Sequence, residues 1–434
     1  MIRFLSTLIL IVFVANCSLN KKSNFWTKSE KISIEKKKLI EVLFKDEKVQ
    51  ETEFNINLKI NLKGKVVNNS FISNLSNNNG RTNYNGKLKS VSRFKFSKID
   101  NFNQFEPSII FSNNNVIFFD NKGSILKFDN SSKLIWKKNH YSKSEKNLKP
   151  ILFFANNEDT LIVVDTIAKL YAMNIKTGEL LWSKNNSAHF NSQVKVYKDK
   201  FFAIDSKNIL RCYSIKDGTE IWNIKTEASL IKSIKKLSLV IKDNKVYFNN
   251  SIGDISAVNI DDGELLWLTP THNTKVVGQS FFTKSSVLVV GKNSIYLSND
   301  KNEFFSVDLK TGIINWQHKI NSTLTSTIVN NLIFTVTMEG FLVVIDSRQG
   351  NIIRKTDIFK QFKNKKRLKI KPIGFIMGSK NIYLTTNHGR LLVIDVSSGK
   401  TISMLKIDNE KISRPFVLNQ NLYIIKENSI IRLN

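Results

Sequence analysis

The chain has 434 residues, 41% hydrophobic and 10% aromatic, which is enough apolar material for a large core. With 5 Pro and 17 Gly it is neither collagen-like nor a Pro-rich low-complexity polymer. Its 66 basic and 36 acidic residues give a formal charge of +30, yet the lysines run through nearly every stretch without a helix-turn-helix, zinc spacing or aromatic–basic RNA signature, so nucleic acid is not expected as a partner.

Residues 1–16 read as a signal peptide. Arg3 precedes an apolar run from Phe4 to Ala15 that is too short to span a bilayer, which needs about 20 residues. The run stops at Val14-Ala15-Asn16-Cys17, which resembles a bacterial lipobox, with Asn16 standing where a small residue is usual. That resemblance implies lipidation of Cys17, the mature N-terminus. Ser18 follows in place of an inner-membrane Asp, which by resemblance to sorted lipoproteins implies an outer-membrane anchor facing the periplasm. Residues 17–43 are Lys-, Ser- and Asn-rich, as in Lys21-Lys22-Ser23-Asn24, and read as a flexible linker to the lipid. Residues 44–85 read as an extended segment.

From residue 86 onward the chain repeats itself. The unit is an alternating strand, an Asp or Asn, a short turn ending in Gly, then three residues and Trp. Ile125 to Trp136 is an early copy without the turn Gly; the runs ending at Trp182, Trp222, Trp267 and Trp316 carry Gly178, Gly218, Gly263 and Gly312. Two later copies keep Gly350 and Gly399 but place Arg354 and Ser403 at the Trp position. Asp or Asn starts a tight turn through its own side chain and Gly supplies positive φ, so each copy is a β-hairpin. The Trp offers a large ring to a neighbouring sheet and an N–H in search of an acceptor. Successive Trp positions lie 46, 40, 45, 49, 38 and 49 residues apart, the length of a four-stranded propeller blade. Two further apolar runs precede each hairpin, for example 326–329 with 332–337 and 373–377 with 382–386.

The C-terminus supplies three strands, 415–418, 422–426 and 429–433, and then ends at Asn434 in the turn position. A fourth strand is missing, which would leave a sheet edge unpaired. The stretch 87–96 has strand character and no blade of its own, with Phe94 expected at the Trp position. The reading is therefore all-β: an eight-bladed β-propeller of four-stranded antiparallel blades over 86–434, closed by N-terminal strand pairing with the C-terminal blade.

The run from Leu170 to Trp182 is similar to the repeat of pyrroloquinoline-quinone enzymes, which is shared by the BamB-type propeller lipoproteins of the outer-membrane β-barrel assembly machinery. Leu43 to Gly86 also resembles the approach sequence of those proteins, with Phe71 and Asn77-Asn78-Asn79-Gly80 standing where they carry Trp and a Gly-rich piece. The resemblance implies a non-enzymatic scaffold, a monomer within a hetero-complex, docked on the periplasmic POTRA domains of the barrel-inserting subunit. It places the contact in Ser229-Leu230-Ile231-Lys232-Ser233, after Trp222, with Lys232 in place of an Arg and Ile231 in place of a Leu. The alternative is that Leu230 and Ile231 begin the next inner strand and simply pack.

An enzyme of the quinone class requires an adjacent Cys pair, a catalytic Asp, carboxylate ligands for Ca²⁺ and long capping insertions. Cys212 stands alone, at the repeat position of Ala172, Ala257, Ser306 and Val344, a strand site for a small side chain. His140, His189, His272, His318 and His388 fall in separate repeats without metal-ligand spacing. Asp261-Asp262 belongs to a hairpin turn, and no inter-strand insertion is expected to exceed about a dozen residues. No cofactor, metal or catalytic residue is expected. A propeller adaptor for another envelope partner is the third possibility.

Overall fold

In the computed structural model the described residues are 52–64, 66–70, 75–157, 159–227, 236–271 and 284–434. Residues 51–434 form one compact unit. Eight four-stranded antiparallel sheets carry the fold. Blades 1–7 run consecutively over 110–138, 152–185, 195–225, 239–269, 289–318, 327–357 and 372–406, each with its strands in chain order from inside to outside. Blade 8 takes three strands from 416–433 and its outermost from Ser90–Lys95. That strand pairs with Ser429–Leu433, and Lys89 and Asn434 exchange backbone hydrogen bonds of 2.8 and 2.9 Å beyond it. The ring closure read from the truncated ending is thus present.

The inner and middle strands are buried on both faces, because each sheet packs against two neighbours. In blade 2, Leu161–Val164 and Leu170–Met173 are all buried, whereas the outer strand Leu180–Asn185 is largely exposed. The alternation in Leu170–Met173 therefore separates two cores, one on each side of the blade.

A β-bulge recurs at one place in all eight blades. In blade 2 Leu180 opposes Met173 and Trp182 opposes Ala172, so Leu181 between them has no partner. The extra residue bends the outer strand and re-aims the side chain that follows it. The Trp rings so aimed lie against the turn glycine of the next blade. A Cβ on Gly218 would come within 2.5 Å of Trp182, and one on Gly263 within 2.6 Å of Trp222. Gly178, Gly312 and Gly350 meet Trp136, Trp267 and Trp316 in the same way. All these glycines have φ between +68° and +79°. Four of these five Trp N–H groups find their acceptor in the same turn: Trp182 Nε1 donates to Ile215 O at 2.8 Å, Trp222 to Ile260 O at 3.2 Å, Trp267 to Leu309 O at 3.2 Å and Trp136 to Lys176 O at 2.9 Å, whereas Trp316 Nε1 is buried with no acceptor among the described residues.

Register also tests the Trp-less copies. Arg354 opposes Val344 and Ser403 opposes Val393, the Trp position in both cases. Arg354 keeps the donor role, reaching Val396 O at 3.1 Å beside Gly399. Phe94 does not stand at the Trp position of blade 8: Ser92 does, opposite Arg432, with Val91 as the bulged residue. This strand comes from the far end of the chain, so no continuous repeat fixed its offset. Phe94 lies two residues further along the same face, fully buried against Phe128 and Tyr423. Arg432 supplies the missing donor, reaching Asn130 O in the turn of blade 1 at 2.6 Å.

Candidate functional site

First strands of neighbouring blades contact one another, so they line the ring axis. The N-terminal segment ahead of blade 8 crosses one end of that axis. Ser70 N donates to Val417 O of blade 8, Thr82 N to Met377 O of blade 7, and Asn78 bonds both backbone groups of Ile328 in blade 6. Asn77 sits deepest: its amide donates to Leu239 O of blade 4 at 3.0 Å, Leu288 O of blade 5 at 2.9 Å and Gln193 Oε1 of blade 3 at 3.0 Å. A buried amide with these partners satisfies strand ends that face the axis and have no further strand to pair. The expected extended segment is therefore a plug across the end of the channel nearest the hairpin turns.

At the other end of the axis lies a well of about 40 Å³, lined by residues that lead into the first strands, among them Glu106, Lys236, Thr323 and Arg414. Below the plug contact, Lys195 is 1% exposed and donates to Asn77 Oδ1 at 2.6 Å. Burial, reinforced by the Lys236 and Arg414 charges, lowers its pKa to about 7. Burial likewise lowers Arg414 to about 10, with Glu106 acting the other way. Arg414 keeps part of its surface open, as a side chain does that lies deep in a solvent-filled well.

Leu230, Ile231 and Lys232, and the lipidation candidate Cys17, lie outside the described residues, as does Phe71. The connection that carries 230–232 is fixed at both ends. Asn208 Nδ2 donates to Glu227 O at 2.8 Å, Thr226 Oγ1 to Asn208 O at 3.1 Å, and Lys236 Nζ to Ser108 Oγ at 3.1 Å. The inner strand of blade 4 begins at Leu239. Lys236 lines the well, so this connection ends beside it. The connections depart from expectation: 96–109, 139–151, 226–238 and 358–371 each run to 13 or 14 residues, and 270–288 to 19.

Cys212 is buried opposite Trp222, and burial pushes its thiol up to about 12, which makes it a core residue. His140 packs against Tyr171, and burial lowers its pKa. His318 contacts Trp316, and His388 lies on an exposed turn. Asp261 bonds Lys200 and Asn244 in its turn. Among the described residues no three His, Cys, Asp or Glu side chains gather as for a metal. The fold's quinone chemistry needs a Ca²⁺ held by carboxylates, and the well offers Glu106 alone among its lining residues. The residues do not fit that group.

Sequence reasoning missed the cationic well and the role of Asn77. The available signal was lysine inside an inner strand at 195, where an apolar residue belongs, and a polar Asn run with no strand period.

The family model for outer membrane protein assembly factor BamB matches residues 121–356. The BamB of Yersinia pestis is 20% identical over 290 residues, 61% of this chain and 69% of that protein. Across the first relatives of that description the matched stretches span 50% to 69% of the relatives' own lengths. Among solved structures, BamB from Moraxella catarrhalis superposes with a TM-score of 0.66 at 14% identity, covering 80% of this chain and 99% of that one. Quinohemoprotein alcohol dehydrogenase from Comamonas testosteroni superposes with a TM-score of 0.64 at 10% identity, covering 85% and 81%, which places both in one fold.

Proposed function

Since the chain belongs to the family of outer membrane protein assembly factor BamB, we propose that it is a non-enzymatic scaffold lipoprotein, anchored through Cys17 on the periplasmic face of the outer membrane. It docks on the POTRA domains of the barrel-inserting subunit through Leu230, Ile231 and Lys232. The observation that carries the scaffold reading is the channel. One end is crossed by the chain's own residues 67–70 and 75–84, and the wall of the other offers Glu106 as its lone carboxylate among the lining residues. That lining favours a scaffold over a quinone enzyme. The connection that carries Leu230, Ile231 and Lys232 is tied down at Glu227 and Lys236, and two aliphatic side chains beside one cation suit a mixed contact patch.

The test is affinity purification from the native envelope, with the barrel-inserting subunit expected to co-purify. Ile231→Asp with Lys232→Glu is expected to weaken that capture at least tenfold while the chain stays folded. Capture unchanged by the double substitution removes the loop from the interface. Incubation with the quinone and Ca²⁺, followed by absorption spectroscopy and an alcohol-oxidation assay, is expected to give no signal; turnover would overturn the scaffold reading.

A further inference from the structure

The well at the ring axis has a charge pattern that docking on a partner protein does not use. Its wall carries Lys236 at the entry to blade 4, Lys411 and Arg414 at the entry to blade 8, and one acid, Glu106, at the entry to blade 1. Hydroxyls of Ser108 and Thr323 stand among them. Gln193 belongs both to this wall and to the hydrogen-bond set of Asn77, so it stands between the well and the plug. Lys195, bonded to the same Asn77, lies outside the lining and feels the charges of Lys236 and Arg414. Cations at the entries to two separate blades thus line one space, with a third blade's Lys195 close by.

Such convergence has a cost. Charged groups withdrawn from water are held in a fold when hydrogen bonds or a counter-charge offset their desolvation. Lys411 Nζ donates to Asn103 O at 3.1 Å and Phe105 O at 3.2 Å, and Lys236 Nζ to Ser108 Oγ at 3.1 Å, so hydrogen bonds hold these cations in a lining of three basic side chains and one acid among the described residues. A one-signed, low-dielectric pocket focuses its field and concentrates counter-ions. The donor types are also specific. A guanidinium presents a planar fork to oxyanions, lysines act as point charges and hydroxyls adjust to the remaining oxygens, a combination that suits phosphate better than a single carboxylate. We infer that this well binds a small, multiply charged phosphate-type anion between Lys236, Lys411 and Arg414. The ligand is either a free phosphate compound or the phosphorylated head of a larger molecule. The inference stands apart from POTRA docking and survives if that reading fails.

The experiment is isothermal titration of the full chain with inorganic pyrophosphate, and separately with phosphatidate-containing and pure phosphatidylcholine vesicles. Saturable 1:1 binding of pyrophosphate is expected, at least tenfold weaker in Arg414→Gln and in Lys236→Gln. Lys366→Gln, which removes a charge from the short helix Asn364–Arg367, should stay within twofold. Binding to phosphatidate vesicles but not pyrophosphate, with the same response to the variants, supports the site and assigns it to a phosphorylated headgroup. Absence of saturable binding in both arms overturns the proposal. So does equal weakening by Lys366→Gln, which would mean the overall +30 charge is responsible. Thermal unfolding guards against a misfolded variant. Removing one of several like charges should leave the unliganded midpoint unchanged or raised, while abolishing the rise that pyrophosphate gives the parent chain. If Arg414→Gln does not fold, Lys236→Gln alone decides.

Discussion

Substituting Gly218 by Ala isolates the contact that joins blade to blade. Gly218 sits at φ +68°, and an added Cβ would lie 2.5 Å from Cζ3 and 2.7 Å from Cε3 of Trp182 in the preceding blade. The left-handed backbone alone costs Ala about 1–2 kcal/mol. Overpacking against a ring that cannot retreat adds roughly 1–3 kcal/mol, because the indole is also held by its 2.8 Å bond to Ile215 O. Together about 2–5 kcal/mol is expected, read from urea denaturation followed by circular dichroism. Two controls separate the terms. Gly80 has φ +62° but its Cβ would meet nothing closer than Val67 at 4.0 Å, so Gly80→Ala should show the backbone cost alone. In a Trp182→Leu background the steric part should vanish, leaving a coupling of about 1–3 kcal/mol between the two sites. Equal cost of Gly218→Ala in both backgrounds, or a cost no larger than that of Gly80→Ala, would refute the interlock.

Deleting either 87–96 or 413–434 is expected to abolish cooperative unfolding of the whole ring, since each deletion breaks the strand pair that closes blade 8; a folded, cooperative product from either one overturns the closure. Asp165 is fully buried, and burial raises its pKa to about 6 against the pull of hydrogen bonds from Tyr141, Lys169 and Ile167. The folded state therefore holds the proton more tightly than the unfolded chain. This stabilising term is complete below the unfolded value near 4 and is lost as pH rises through about 6, a change of about 3 kcal/mol. Stability of the parent relative to Asp165→Asn should fall across that window, and a flat difference would contradict the assignment. Arg354→Trp restores the repeat residue and the donor to Val396 O, but loses the 3.0 Å bond to Leu58 O. Limited proteolysis should then cut between 52 and 62 several-fold faster with the ring intact; an unchanged rate would deny Arg354 its role as an anchor.

What could be read from the sequence was whatever repeats along the continuous chain. Hairpin turn, glycine and Trp recur in one order, and the bulge that aims the ring lies within the same few residues. A second recurring signal was present and went unused. The turn between second and third strands opens with Asp120, Asp165, Asp205, Asn250, Asn299, Thr337 or Thr386, whose side-chain oxygens accept backbone N–H groups within the turn. These positions follow the Trp spacing almost residue for residue, and they would have fixed the blade count where Trp fails. Features that join distant segments were less legible. The offset of Phe94 depends on pairing between chain ends, and the plug depends on Asn77 meeting residues more than a hundred positions away. Lys195, Lys236 and Arg414 come from different blades, so no local spacing relates them.

Arg354 shows why departures from the repeat carry information of their own. A Trp there would fill the space beside Gly399 and cap one carbonyl. The guanidinium caps Val396 O and also reaches Ser397 O and Leu58 O, so one side chain ties blade 6, blade 7 and the incoming segment together. Blade 8 has a related device: with Ser92 at the ring position, Arg432 spans the seam to Asn130. Arginine replaces indole where the chain must bind a third partner, at the entry of the N-terminal segment, and an arginine across the strand pair supplies the donor where a short side chain leaves the seam open. The segment then runs on to fill the axis with Asn77 and to complete blade 8 with Ser90–Lys95. The point held by Arg354 at Leu58, the plug and the closing strand are therefore successive parts of one stretch of chain. The same stretch both crosses one end of the channel and closes the ring.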